Sequence, residues 1–218
     1  MSEYKTEKSE SYYQDARGDL VQLVEAGRHR ILDVGCGAGS LGAALKAAGK
    51  AREVIGIEKH EAAAHVAESR IDRVLCADVE TAELPLEEGT FDYIVAADVL
   101  EHLVDPWTVV KRLARLLRSG GHMIASIPNV RFCKVVLPLI VQGEWRYRSQ
   151  GVLDDTHLRF FTKKSMRRLF DEPSLVVRQI LPAFKLLPGC KAHRLNRFTL
   201  GLFEDFLTIR YLVEVTKR

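Results

Sequence analysis

The sequence predicts an α/β fold whose mostly parallel sheet carries helices on both faces. Two observations carry this expectation: short β-rich runs alternate with helix-length segments from Arg30 onward, and the first run ends in a glycine-rich turn that opens a helix. Residues 30–34, 53–57, 73–76, 91–96 and 122–127 read as strands, and 40–48, 59–69 and 106–117 as helices. Before them, residues 16–26 place Leu20, Val21, Leu23 and Val24 at helical spacing and stop at Gly27, so an N-terminal helical segment is expected within 1–29. Gly120 and Gly121 supply the turn into the fifth strand, after a basic last helical turn at 115–118. A further helix is expected near 163–170, and residues 176–181 and 207–215 read as a terminal antiparallel pair of strands. No repeat or low-complexity linker interrupts the pattern, so 1–218 is expected to form one domain.

Composition narrows the function. At 218 residues, 47% hydrophobic and 28% charged, the chain has enough apolar residues for one sizeable core and an ordinary soluble balance. A net charge of +3, with basic residues spread along the chain, gives no indication of nucleic acid as a partner. Cys36, Cys76, Cys133 and Cys190 form no CxxC pair and no zinc-like spacing, so buried free thiols in a reducing compartment are expected. The charged N-terminus lacks the apolar run of a signal peptide, and no stretch reaches the roughly 18 apolar residues of a membrane span. The expected location is cytoplasmic. No metal site is expected, although Glu101 and His102 stand side by side and offer two ligand types.

The chemistry concentrates in Ile31-Leu32-Asp33-Val34-Gly35-Cys36-Gly37-Ala38-Gly39-Ser40. Side chains are missing where a nucleotide-like ligand must approach the backbone closely. A dinucleotide fingerprint requires Gly or Ala at position 40, where this chain has Ser40. Asp33, just before the first glycine, is badly placed for a pyrophosphate and well placed for the positive amino-acid end of S-adenosylmethionine. Glu58 closes the second strand, where an acid accepts hydrogen bonds from ribose hydroxyls, and Asp78 follows the third, suited to the exocyclic amine of adenine. An NAD-dependent oxidoreductase and a cofactor-binding module without catalysis are the alternatives.

These motifs, together with Phe91-Asp92-Tyr93-Ile94-Val95-Ala96-Ala97-Asp98-Val99-Leu100-Glu101-His102-Leu103 and the run 116–129, resemble those of class I S-adenosylmethionine-dependent methyltransferases. Within that superfamily the sequence is similar to the ubiquinone-biosynthesis O-methyltransferase-like branch. It is also similar to bacterial methyltransferases associated with glycan assembly, through Pro128-Asn129-Val130-Arg131 and the stretch 155–162. The resemblance implies a Rossmann-like sheet of seven strands with the last antiparallel. It also implies cofactor contacts at Asp33, Gly35, Gly37, Glu58, Asp78, Val79 and Asp98, with Tyr12, Tyr13 and Arg17 closing over the methionine end.

Residues 129–162 form an insertion too long for an idle loop, with an apolar run at 135–141 followed by Trp145, Arg146, Tyr147 and Arg148. It is read as a cap over the substrate, with packing on the sheet or a dimer contact as the alternative; a weak contact with a membrane surface stays open. Methyl transfer to an alcohol needs a base, and histidine ionises near neutrality. His102 after the fourth strand and His157 in the cap are the candidates. The expected substrate is a small molecule or glycan bearing a hydroxyl, and the expected state a monomer or homodimer.

Overall fold

The structure, a computed structural model, describes residues 17–186 and 191–218; Tyr12, Tyr13 and Cys190 lie outside the described residues. Seven strands form one sheet in the order β3-β2-β1-β4-β5-β7-β6. They are β1 (His29–Val34), β2 (Ala51–Glu58), β3 (Arg73–Cys76), β4 (Phe91–Ala97), β5 (Leu117–Pro128), β6 (Leu175–Pro182) and β7 (Arg210–Lys217). The first five run parallel, and β7 lies between β5 and β6, antiparallel to both. The strand order reverses between β1 and β4, which places the crevice for a ligand beyond their carboxyl ends.

Both faces of the central strands are buried, which explains why they read as continuous apolar runs. On one face Leu32, Val34, Ile94, Ala96 and Met123 pack under α4 (Pro106–Leu116) and α6 (Lys163–Leu169). On the other, Ile31, Val54, Tyr93, Val95 and Ile124 pack under α1 (Gly18–Leu23), α2 (Ser40–Ala47) and α3 (Glu61–Glu68). Helix α4 starts on Asp105, whose carboxylate accepts from the Thr108 N–H, with Pro106 at the first helical position. Helix α6 starts on a Thr162–Ser165 capping box.

Several boundaries differ from the expected ones. The N-terminal helix stops at Leu23, because Val24 turns extended and Lys50 Nζ donates to the carbonyls of Val21 and Val24 at 2.8 and 2.6 Å. Helix α3 starts at Glu61 because the Glu58 carboxylate takes the His60 N–H at 2.9 Å. The fifth strand begins at Leu117, with Arg118–Gly121 bulging out before pairing with β4 resumes at His122. The last strand begins at Arg210, because Leu207 belongs to a short helix, α8 (Glu204–Leu207). Helix α7 (Lys191–Phe198) has no counterpart among the expected elements. Among the described cysteines only Cys36 is buried; Cys76 is exposed and Cys133 half-buried.

In the stretch 129–162, α5 (Cys133–Gln142) is followed by irregular chain. A small apolar cluster holds this segment: Val135, Val152 and Leu153, with Trp145 edge-on to Phe160 at 5.2 Å. No helix of the described residues is long and apolar enough to cross a membrane.

Candidate active site

The turn after β1 bends because Gly35, Gly37 and Gly39 adopt φ of +66°, +53° and +78°. That region is costly for residues with a Cβ. A Cβ on Gly35 would stand 2.5 Å from Val99 Cγ2, so the turn lies directly against the segment after β4. Gly35 and Cys36 donate their N–H groups to the Ile57 carbonyl, and Gly37 donates to Glu58 Oε2 at 2.9 Å. Glu58 therefore ties the turn to the end of β2. Each of its oxygens accepts one backbone N–H and keeps a lone pair for another donor.

Asp33 is 1% exposed, and its Oδ2 has no hydrogen-bond partner. Burial, reinforced by the Glu58 charge, pushes its carboxyl up to about 7. A buried acceptor in this state fits a cationic ligand group, which repays the desolvation of the ionised form.

Asp78 is exposed beyond β3, where its Oδ1 accepts from the Glu80 N–H at 2.8 Å, and Val79 is buried in the core. Arg112 of α4 clamps this loop by donating to the carbonyls of Val79 and Glu80 at 3.0 and 2.8 Å. Arg112 was not singled out from the sequence, since its partners are backbone oxygens on another element.

Asp98 adopts φ +54° and anchors an ionic network. Its carboxylate accepts from Arg17, from Ser126 Oγ at 2.8 Å and from Arg210 Nη1 at 2.9 Å. Arg17 also donates to Ser126 Oγ at 2.9 Å and pairs with Asp19. The structure thus brings together Arg17, expected at the methionine end, and Asp98, expected as a cofactor contact, and adds Ser126 and Arg210.

His102 ends a short helical turn, Leu100–His102, and His157 packs onto it, ring centroids 4.7 Å apart. The N–H groups of Leu158 and Arg159 both donate to the Glu101 carbonyl at 2.9 Å, and Arg159 Nε donates to the Val104 carbonyl. These bonds fasten the irregular segment over the turn after β4. Glu101, 1% exposed, lies with its Oε1 3.9 Å from His157 Nε2. Among the described residues, Glu101, His102 and His157 each offer a ligand atom, all within 4.8 Å of one another. The sequence showed Glu101 beside His102 but could not show that His157 folds back to join them.

Fold and site have the features expected of a protein that binds a nucleoside carrying a cationic tail at the switch point of a parallel sheet. Buried Asp33, the positive-φ glycines and the lone pairs of Glu58 fit that group. Residues 32–125 match the family described as "Methyltransferase domain". Over that segment the chain is similar to class I S-adenosylmethionine-dependent methyltransferase domains, whose methyl donor is S-adenosylmethionine. It is 32% identical over 125 residues to a ubiquinone biosynthesis O-methyltransferase of Acinetobacter baylyi, covering 55% of this chain and 51% of the relative. It is 40% identical over 99 residues to a probable S-adenosylmethionine-dependent methyltransferase of Mycobacterium tuberculosis, covering 45% of this chain and 35% of that one. The chain thus spans about half the length of the first relative and about a third of the second. In fold it is similar to an S-adenosylmethionine-dependent methyltransferase from Mesorhizobium loti, with a TM-score of 0.64, 17% identity, and 93% and 98% of the two chains covered. An Archaeoglobus fulgidus methyltransferase gives a TM-score of 0.64 at 15% identity, covering 93% and 92%. The oxidoreductase alternative is set aside by these matches. The link to glycan assembly rests on the motifs at 128–131 and 155–162 and on no relative named here.

Proposed function

We propose that this chain methylates a hydroxyl of a small molecule, a sugar or a lipid-linked glycan intermediate, acting in the cytoplasm as a monomer or homodimer. The observation that carries the proposal is the meeting of two chemistries at one sheet edge. The cofactor turn touches Val99 through Gly35, and three residues further on His102 begins a cluster with Glu101 and His157. In this reading 1–218 is one domain and 129–162 is the cap over the acceptor.

The cofactor supplies an electrophilic methyl group on a sulfonium. Asp33 attracts its amino-acid end, Glu58 holds the ribose, and Asp78 and Val79 hold the adenine. Arg17 and Asp98, with Tyr13 from outside the described residues, close the methionine end. His157 donates its Nδ1–H to the Val152 carbonyl at 3.0 Å, which leaves Nε2 with a lone pair to act on the acceptor's proton. The apolar side chains exposed on α5 and at and beyond the end of α7, among them Ile140, Val141, Phe198 and Leu200, support an acceptor with a lipid tail or contact with a membrane surface.

The test is to offer methyl-labelled cofactor with a panel of phenols, free sugars and lipid-linked sugars, then identify the bond formed. Label in an alkali-stable ether is expected. Label confined to amines or to alkali-labile esters would overturn the hydroxyl assignment.

A further inference from the structure

Between β6 and β7 the chain carries Leu195, Phe198, Leu200, Leu202 and Phe203 exposed, Phe198 at 86%, Leu200 at 92% and Leu202 at 82%. Single apolar side chains on a surface are ordinary, but five within nine residues make a continuous patch that water disfavours. The patch is built on a bonded frame. The Thr199 N–H donates to the Leu195 carbonyl at 3.0 Å, Gly201 to Asn196 at 2.9 Å, Leu202 to Thr199 at 3.0 Å and Glu204 to Gly201 at 3.0 Å. Leu200 holds φ +51°, a conformation that ordinarily falls to Gly or Asn. The tip of this turn therefore keeps a large apolar side chain where backbone and solvent both disfavour one.

Charge decides what covers it. In α7, Lys191, Arg194, Leu195 and Phe198 follow the spacing that puts them on one helix face, and Asn196 on the opposite face is buried. From 191 to 203 the sequence has Lys191, Arg194 and Arg197 and no Asp or Glu. A second copy would bring these like charges together across a two-fold contact. An anionic lipid bilayer satisfies both halves of the patch, since headgroup phosphates meet the cations while the acyl boundary takes the apolar tips. At eight residues α7 is too short to span a bilayer and can only lie along it. The patch is also tied to the edge of the sheet that carries the candidate site. Asn129 Nδ2 donates to the carbonyls of Asp205 and Thr208, Arg131 pairs with Asp205, and Lys163 pairs with Glu204 at 2.7 Å. Arg210, which opens β7 opposite Pro128 of β5, reaches Asp98 at 2.9 Å.

We propose that α7 and the turn 199–203 dock this protein on an anionic bilayer surface, with Leu200 and Leu202 entering the acyl boundary and Arg194 and Arg197 meeting the lipid phosphates. Because α8 fastens the turn to the end of β5, docking sets the carboxyl edge of the sheet beside the membrane. This rests on the reading that the acceptor is linked to a lipid, and it names the surface from which such an acceptor is reached.

The experiment is co-sedimentation of the full chain with vesicles of phosphatidylcholine, with and without phosphatidylglycerol. Partitioning about tenfold stronger into the anionic vesicles, and weakening as salt is raised, is expected. Arg194→Glu combined with Arg197→Glu should reduce it about tenfold, and so should Leu200→Gly combined with Leu202→Ser. Glycine accepts the left-handed backbone at 200, so the second pair should melt close to the parent and still bind the demethylated cofactor, which separates loss of docking from loss of fold. No sedimentation with anionic vesicles, equal sedimentation with neutral ones, or binding that both variant pairs leave undiminished overturns the proposal. A dimer in analytical ultracentrifugation that the same substitutions dissolve, without vesicle binding, assigns the patch to a second copy and overturns it too. Vesicle binding accompanied by methyl transfer to water-soluble acceptors alone supports the docking surface and overturns only the lipid-linked acceptor.

Discussion

Asp33→Asn isolates the buried carboxyl beside the glycine-rich turn. Burial and the neighbouring Glu58 charge raise the Asp33 carboxyl to about 7. In the unfolded chain an aspartate titrates near 3.9, a value given roughly. Between these two values the folded protein holds a proton that the unfolded chain has released. Stability contributed by this group therefore falls as pH rises from about 4 to about 7 and is level above. The gap of about 3 pH units corresponds to about 4 kcal/mol at most. The asparagine side chain does not titrate, so the variant should match the parent's trend only at low pH and exceed it in stability by up to about 4 kcal/mol at pH 8. Urea or thermal unfolding at pH 5, 6, 7 and 8 measures this, and a difference that stays constant over that range would refute the reasoning. The same substitution should weaken S-adenosylmethionine binding by about 1.5–3 kcal/mol, because a charged acceptor is lost. In the parent, cofactor binding below pH 7 should release a proton, seen as a dependence of binding enthalpy on the buffer.

Three further outcomes are expected. Glu58→Ala should weaken cofactor binding by about 2–3 kcal/mol with the fold retained, and an unchanged dissociation constant would show that Glu58 does not hold the ribose. Gly35→Ala combines a left-handed backbone with a contact of 2.5 Å to Val99. It should lose about 2–4 kcal/mol of stability together with cofactor affinity, and a variant that melts like the parent would refute the close approach. His157→Ala should lower turnover on a verified acceptor by about 10²–10⁴-fold while leaving cofactor affinity intact; loss of cofactor affinity instead would make His157 part of the cofactor pocket. His102→Ala, assayed alongside, tells whether the two act together.

The glycine-rich turn and the acids at the strand ends were legible in the sequence because their requirements are local. A glycine-rich turn, an acid before it and acids closing successive strands are each set by the residue and its nearest neighbours, and strand alternation with helices implies a parallel sheet whose carboxyl ends gather those acids. Element boundaries were less legible, since distant groups set them: Lys50 ends α1 by taking the carbonyls of Val21 and Val24, and Glu58 delays α3 by taking the His60 N–H. Helix α8 is held by contacts with the chain after β5, where Asn129 Nδ2 donates to the carbonyls of Asp205 and Thr208. The long-range pairings around the turn after β4 depended wholly on tertiary structure. Neither the pairing of Asp98 with Arg17 and Arg210 nor the return of His157 to Glu101 leaves a periodic or motif signal, because each joins residues that only folding makes neighbours. Sequence alone determined which fold and which cofactor chemistry the chain encodes; only the packing of the segment around His157 onto the turn after β4 decided which side chains meet the Glu101 carboxylate.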